Sequence, residues 1–250
     1  MTKVTPIIEI DPLLPLGCQT PPGRYLLAWE QALMDGWVGD LFGFHAVQLG
    51  WPALEGLRTN RMPHRWRVDD EDSPISRHAA LRANFDTLPF PSASLDLMLM
   101  PHTLELARDP HHTLREAERV LVADGRLILI GFNPVGLWAW QRQRTDGVSA
   151  VTRSAWIGHR RVRDWLHLLG FEIEQERFGC YRPPLMSQTW LDRCAWLDRV
   201  GAHAWPVLGA VYAMEAVKRV HGVHLIHPRR ATPLRPMPAA AATTPRQSTP

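Results

Sequence analysis

The chain has 250 residues, enough for one large domain or two small ones with a real hydrophobic core. Its 45% apolar and 21% charged residues exclude a disordered or fibrous chain. The net charge of +3 arises at one end: from Ala216 onward there are six basic residues and no acidic one, against 22 basic and 25 acidic residues before it. A dedicated nucleic-acid-binding fold needs a basic face on its body and is therefore not expected.

Cys18, Cys180 and Cys194 show no CxxC pair and no zinc spacing, which fits a reducing compartment. Glu9 and Asp11 interrupt the first apolar stretch, so no signal-peptide core is read there. No run of 18 apolar residues occurs, and Pro206 and Glu215 break the best candidate. A cytoplasmic protein without a membrane span is expected.

Tyr25, Leu26, Trp29, Leu33, Trp37 and Leu41 recur at steps of three and four and predict a helical cap within residues 1–44. That helix is expected to pack on a sheet, or else to act as a lid over substrate. Residues 45–50 (HAVQLG) read as a buried strand ending in glycine, 52–60 as a brief helix and 64–69 as a weaker strand. Residues 79–85 and 95–100 read as further strands, the latter apolar on both faces. Residues 109–125 read as a helix with Asp109 as N-cap and Pro110 in the first turn. Leu114, Ala117 and Leu121 would line its buried face, and Gly125 would supply a left-handed stop.

A strand over 126–132 completes an alternation that predicts parallel strands with helical crossovers. Past Asn133 the chain is rich in Trp. A helix is expected over 159–169 with a stop at Gly170, a strand over 171–178, a helix over 188–199 and a strand over 210–220. From Pro228 the composition is Pro, Ala, Thr and Arg, and a segment of this kind is expected to stay unordered. The expected organisation is one domain over 1–227, with its sheet core at 45–220, and a basic tail over 228–250.

The stretch FDTLPFPSASLDLMLMPHTLELARDPHHTLREAERVLVADGRLILIGFNP, residues 85–134, resembles the type 11 group of class I S-adenosylmethionine (SAM)-dependent methyltransferases. In that group a strand and loop reading DAxxLPF precede a strand that ends near a His. A helix rich in RE–RVL and a GRL strand follow. With weaker support the resemblance extends over residues 42–220. It implies an α/β fold with a doubly wound, mostly parallel, seven-stranded sheet. It also implies methyl transfer from SAM to an acceptor, expected to be a small molecule, with no metal.

In an open parallel sheet, ligands lie outside the C-terminal ends of the strands where strand order reverses. That rim would hold Gly50, Asp69 or Asp70, Asn84, Phe85, Pro101 and His102. The group's glycine loop reads acid-x-Gly-x-Gly, and Gln48, Leu49, Gly50, Trp51 and Pro52 stand in its place. Gln48 and Gly50 are candidate cofactor contacts, although a lone glycine after a strand is also an ordinary turn. Trp51 would have to turn outward to leave the site free, and Pro52 offers no N–H, so weakened binding is expected.

Asp69 lies 19 residues after Gly50, near the distance at which an acid meets ribose hydroxyls. Asp70 is an equal candidate, and both also suit a solvated acidic loop. Asn84 stands where the group has Asp and would accept from the adenine amino group, with the Phe85 N–H serving a ring nitrogen. Asn84 is equally a turn residue. Pro101 and His102 end the fourth strand. His102 is the catalytic candidate, as a base or facing the methyl group, and otherwise orients the loop. Trp138, Trp140, Trp156 and the N-terminal helix are expected to cover the cleft. The alternative is a non-catalytic binding or scaffolding protein of the same fold. A weaker third reading uses the basic tail to anchor RNA.

Overall fold

The apolar runs found along the chain pair into a single sheet in the computed structural model, which describes residues 19–71, 80–139 and 156–220. The elements in order are helix α1 (Pro21–Val38) and strands β1 (His45–Leu49), β2 (His64–Asp70), β3 (Leu81–Ala83) and β4 (Leu95–Pro101). Helices α2 (Thr103–Leu106) and α3 (Pro110–Val120), strand β5 (Leu121–Phe132), helix α4 (His159–Leu168) and strand β6 (Phe171–Gly179) follow. Helices α5 (Gln188–Arg193) and α6 (Trp196–Ala204), a 3₁₀ turn (Pro206–Leu208) and strand β7 (Val211–Lys218) complete the set.

The sheet has seven strands in the order β3-β2-β1-β4-β5-β7-β6. β1 pairs in parallel with both β2 and β4, and β7 runs antiparallel to β5 and β6. This is the doubly wound, mostly parallel sheet that the resemblance implied. The chain leaves β1 in one direction and returns to its other side at β4, so a crevice opens between the C-terminal ends of these two strands. Gln48 lies opposite Leu99 there, which brings Gly50 next to Pro101.

Both faces of the sheet are covered, because successive residues along a strand point to opposite faces. Val47, Leu49, Met98, Met100, Leu127 and Leu129 pack with Leu114 and Ala117 of α3 and Val162 and Leu166 of α4. Ala46, Leu97, Leu99, Ile128 and Ile130 pack on the other face with Leu26, Met34 and Val38 of α1. Thr20 caps α1, its side chain accepting from the Gly23 N–H at 3.3 Å.

Several local expectations need correction. Residues 52–60 form turns and no helix, because the Gln48 side chain holds that loop. α3 stops at Val120, and the left-handed residue before the next turn is Asp124 (φ 60°), not Gly125. β5 therefore begins at Leu121, five residues early, and the irregularity falls in its pairing between Leu95 and Leu97. Residues 188–199 divide into α5 and α6, and β3 is only three residues long. Gly170 does end α4, with φ 80°. Every described residue belongs to the unit Met1–Val220. Trp140 and the tail from Pro228 lie outside the described residues. Among the described residues no helix is long and apolar enough to cross a membrane.

Candidate functional site

Two consecutive left-handed residues turn the chain at the end of β1, Gly50 at φ 67° and Trp51 at φ 46°. Gly50 needs its lack of a Cβ for this turn, and its N–H donates to the Val68 carbonyl of β2 at 2.7 Å. A Cβ added at Gly50 would meet only side chains, the Phe85 ring at 3.5 Å and Leu106 at 3.7 Å. For Trp51 the same backbone region is uncommon and carries strain. It swings the indole inward, where the side chain is 1% exposed, so the expectation of an outward Trp51 is corrected. Burial of so large an aromatic surface offsets the backbone cost.

Gln48 is occupied with the same loop. Its Nε2 donates to the Leu54 carbonyl at 2.7 Å and more weakly to those of Gly50 and Trp51, while its Oε1 accepts from the Gly56 N–H at 3.0 Å. A charged acid could not make the donor half of this pattern, and an amide can. On the β2 flank, Asp69 is buried and Asp70 half-buried, with Asp69 paired beside Arg82 of β3. Asn84 Oδ1 accepts from the Asp86 N–H at 2.9 Å, an Asx turn that bends the chain out of β3. The ring of Phe85 is buried.

Across the crevice, Pro101 ends β4 and His102 adopts a left-handed conformation at φ 53°. The His102 N–H donates to the Ile130 carbonyl at 2.9 Å, and Thr103 Oγ1 donates to the Leu49 carbonyl at 2.7 Å, tying the ends of β1, β4 and β5. The imidazole is wholly buried between Trp51, at 5.1 Å between ring centroids, and Phe132, at 4.3 Å. Phe132 in turn stacks on Trp156 at 4.8 Å, and Trp138 is buried nearby in sequence with its Nε1 bonded to the Arg182 carbonyl.

The partner of His102 lies 72 residues earlier in the chain. Its Nε2 lies 2.7 Å from Glu30 Oε1 of α1, and its Nδ1 lies 3.8 Å from Glu105 Oε1, which accepts the Phe132 N–H at 2.7 Å. Burial alone would lower the imidazole pKa, but the Glu30 and Glu105 carboxylates outweigh it and raise it to about 10. The ring therefore carries its proton at neutral pH and acts as a donor.

Gly50, Phe85, Pro101 and His102 thus converge on the β1–β4 crevice, Gln48 lies within its loop, and Asp69 and Asn84 lie on the β2–β3 flank. Sequence reasoning missed Glu30. The buried stripe of α1 runs Leu26, Glu30, Met34 and Val38, one turn apart, and a carboxylate in an otherwise apolar stripe was its signal.

Residues 61–129 match a family model described as a methyltransferase domain. That match takes in little more than a quarter of the chain. The uncharacterized protein YafS of Escherichia coli is similar, 32% identical over 155 residues. That alignment covers 60% of this chain and spans about three fifths, 61%, of the relative's length. Among solved structures, a SAM-dependent methyltransferase of Thermotoga maritima has the same fold, with a TM-score of 0.54 at 16% identity, covering 78% of this chain and 93% of the other. A SAM-dependent methyltransferase of Archaeoglobus fulgidus gives 0.54 at 13% identity, covering 78% and 94%.

One observation bears on the fit of the expected cofactor, SAM, to this crevice. The strained Gly50 turn leaves apolar side chains, not backbone, facing the crevice. Beside it, four buried polar atoms make no hydrogen bond with the described residues: Trp51 Nε1, His102 Nδ1, Glu30 Oε2 and Glu105 Oε2. Their side chains are at most 6% exposed, so these atoms lie packed inside the protein.

Proposed function

We propose that the protein transfers the methyl group of SAM to a small-molecule acceptor. The observation that carries this reading is the methyltransferase-domain match over 61–129 on a sheet whose β1–β4 crevice is turned by Gly50. Bound SAM supplies an electrophilic methyl group on a sulfonium, so the reactivity belongs to the cofactor and not to a protein nucleophile. The task left to the chain is to bind, orient and keep water out. In this reading Asp69 serves the ribose, Asn84 and the Phe85 N–H serve the adenine edge, and Gly50 and Pro101 line the approach.

The stack of Trp51, His102, Phe132 and Trp156 supports the exclusion of water, since each ring is buried or half-buried. A cytoplasmic location goes with this reading and is supported by the free thiols of Cys180 and Cys194. The test is calorimetric titration of the full chain with SAM and with its demethylated product, S-adenosylhomocysteine. Saturable one-site binding of both is expected. No heat with either at millimolar concentration would overturn the reading.

A further inference from the structure

Among the described residues, half of the exposed large apolar side chains lie between Met186 and Leu208. Met186, Trp190, Trp196, Val200, Trp205 and Leu208 all face solvent, and each of the three indoles is more than half exposed. Single exposed apolar residues are ordinary, but a concentration of this kind marks a surface that something covers.

Tertiary contacts hold α6 with its apolar side out. The Asp198 carboxylate turns into the protein and accepts from the Tyr25 hydroxyl, from Arg182 Nε at 2.7 Å and from the Tyr181 N–H at 3.3 Å. Gly201 is buried three residues on, so close to Tyr181 that an added Cβ would meet its ring at 2.5 Å. With Asp198 and Gly201 inward, Trp196, Val200 and Ala204, each one turn apart, form the exposed stripe. Trp205 and Leu208 continue it. A surface helix ordinarily has the reverse arrangement, apolar side in and charge out.

The charge of the patch decides between occupants. Residues 180–210 contain three arginines and two aspartates. Arg182 lies between the two acids, 2.7 Å from Asp198 and 3.9 Å from Asp192, which leaves a net positive charge on the exposed Arg193 and Arg199. The Arg193 guanidinium lies 4.8 Å from the Trp190 ring. After Asp198 the sequence has one more acid, Glu215, which is buried and paired with Arg126. Trp beside Arg on short amphipathic helices suits the headgroup layer of an anionic membrane. A second copy of this chain would instead set the same net positive patch against itself.

The patch also has a defined place on the sheet. Phe132 at the end of β5 lies opposite Val211, the first residue of β7, and Val211 lies opposite Gly179, the last residue of β6. Because β1, β4 and β5 are parallel, residues 180–210 leave and rejoin the sheet at the edge that carries the β1–β4 crevice. We propose that α5, α6 and the 3₁₀ turn form a docking surface for an anionic lipid membrane. This goes beyond the methyl-transfer reading and does not depend on it.

The experiment sediments the full chain with vesicles of phosphatidylcholine alone and of phosphatidylcholine mixed equally with phosphatidylglycerol. Binding to the mixed vesicles with a blue shift of Trp emission is expected, and weaker binding to the neutral ones. The double variant Trp196→Gln/Trp205→Gln should lower affinity for the mixed vesicles by about tenfold or more. Arg193→Gln and Arg199→Gln should each lower it about fivefold. All four side chains are exposed, so circular dichroism is expected to be unchanged in every variant. No sedimentation of the wild type with the mixed vesicles would overturn the proposal, as would equal binding to both vesicle types. Undiminished binding by the folded Trp variant would place the contact elsewhere on the chain and overturn it too. Self-association that the Trp variant abolishes, without vesicle binding, would assign the patch to a second copy instead.

Discussion

Helices α1 and α3 flank the same sheet on opposite faces, yet they are specified in opposite ways. In α3 the start and the buried face are set locally: Asp109 accepts from the His111 and His112 N–H groups at 3.0 and 3.1 Å, Pro110 opens the first turn, and Leu114, Ala117 and Val120 face the sheet. In α1 the central residue of the buried stripe is Glu30, whose carboxylate meets His102, 72 residues away in sequence. The helix built from local signals keeps its buried face apolar and bonds the 88–92 loop through Glu116 and Arg119 at its edge. The helix that breaks its own apolar pattern carries a charge to the crevice, and such breaks are where functional sites are expected.

The sharpest way to break this comparison is to remove the long-range partner. Glu30→Ala leaves a buried imidazolium with Glu105 alone, at 3.8 Å, and is expected to cost about 3–5 kcal/mol in urea unfolding. A cost under about 1 kcal/mol, the range of an exposed pair, would show that the pair contributes nothing special to the fold.

The same pair has a pH signature. The folded His102 pKa lies near 10, above its ordinary value of 6.5, so its contribution is whole below that ordinary value and is lost as pH rises through about 10. The urea midpoint of the wild type should therefore fall more steeply between neutral pH and about 10 than that of Glu30→Gln. Cys180 and Tyr212 are both pushed up by burial, and next by Glu30 and Glu105 respectively. Both lose stability in the same direction, and because Cys180 also feels Glu30 the comparison is made in a Cys180→Ala background, where the difference between the two proteins reports His102. Parallel curves would mean that Glu30 does not hold the proton.

At the crevice itself, Gly50→Val forces a branched side chain into a left-handed turn against Phe85 and Leu106. SAM affinity is expected to fall about a hundredfold, roughly 2.8 kcal/mol, in a protein whose circular dichroism is unchanged. Unchanged affinity in that folded variant would place the cofactor elsewhere.

The smallest effect belongs to the locally coded helix. Asp109→Ala removes an N-cap and should cost about 1 kcal/mol of stability while leaving SAM affinity alone. A loss of affinity there would show that α3 is coupled to the site after all.

Much of the architecture was legible because it follows from short-range rules. Strand periodicity gave β1, β2, β4, β6 and β7 to within a residue or two, and the Pro, Asp and Gly signals gave the start of α3 and the end of α4. Boundaries failed where a contact distant in sequence overrode the local preference. Residues 52–60 have the composition of a first helical turn, but the Gln48 amide ties their backbone groups into turns instead. The stop expected at Gly125 came earlier, because pairing of Leu121 with Leu95 extended β5 at the expense of α3.

The sequence by itself determined the alternation of strands and helices, the methyltransferase pattern over residues 85–134, and the rim positions Gly50, Asp69, Asn84, Phe85, Pro101 and His102. Each of these is written in residue type and spacing along a short stretch. Only the tertiary structure decided that Trp51 points inward, that Gln48 serves its own loop, and that Glu30 of the cap helix charges His102. The reason is that a buried polar group declares its role through its partner, and here the partners are separated by tens of residues and joined only by the packing of α1 on the sheet.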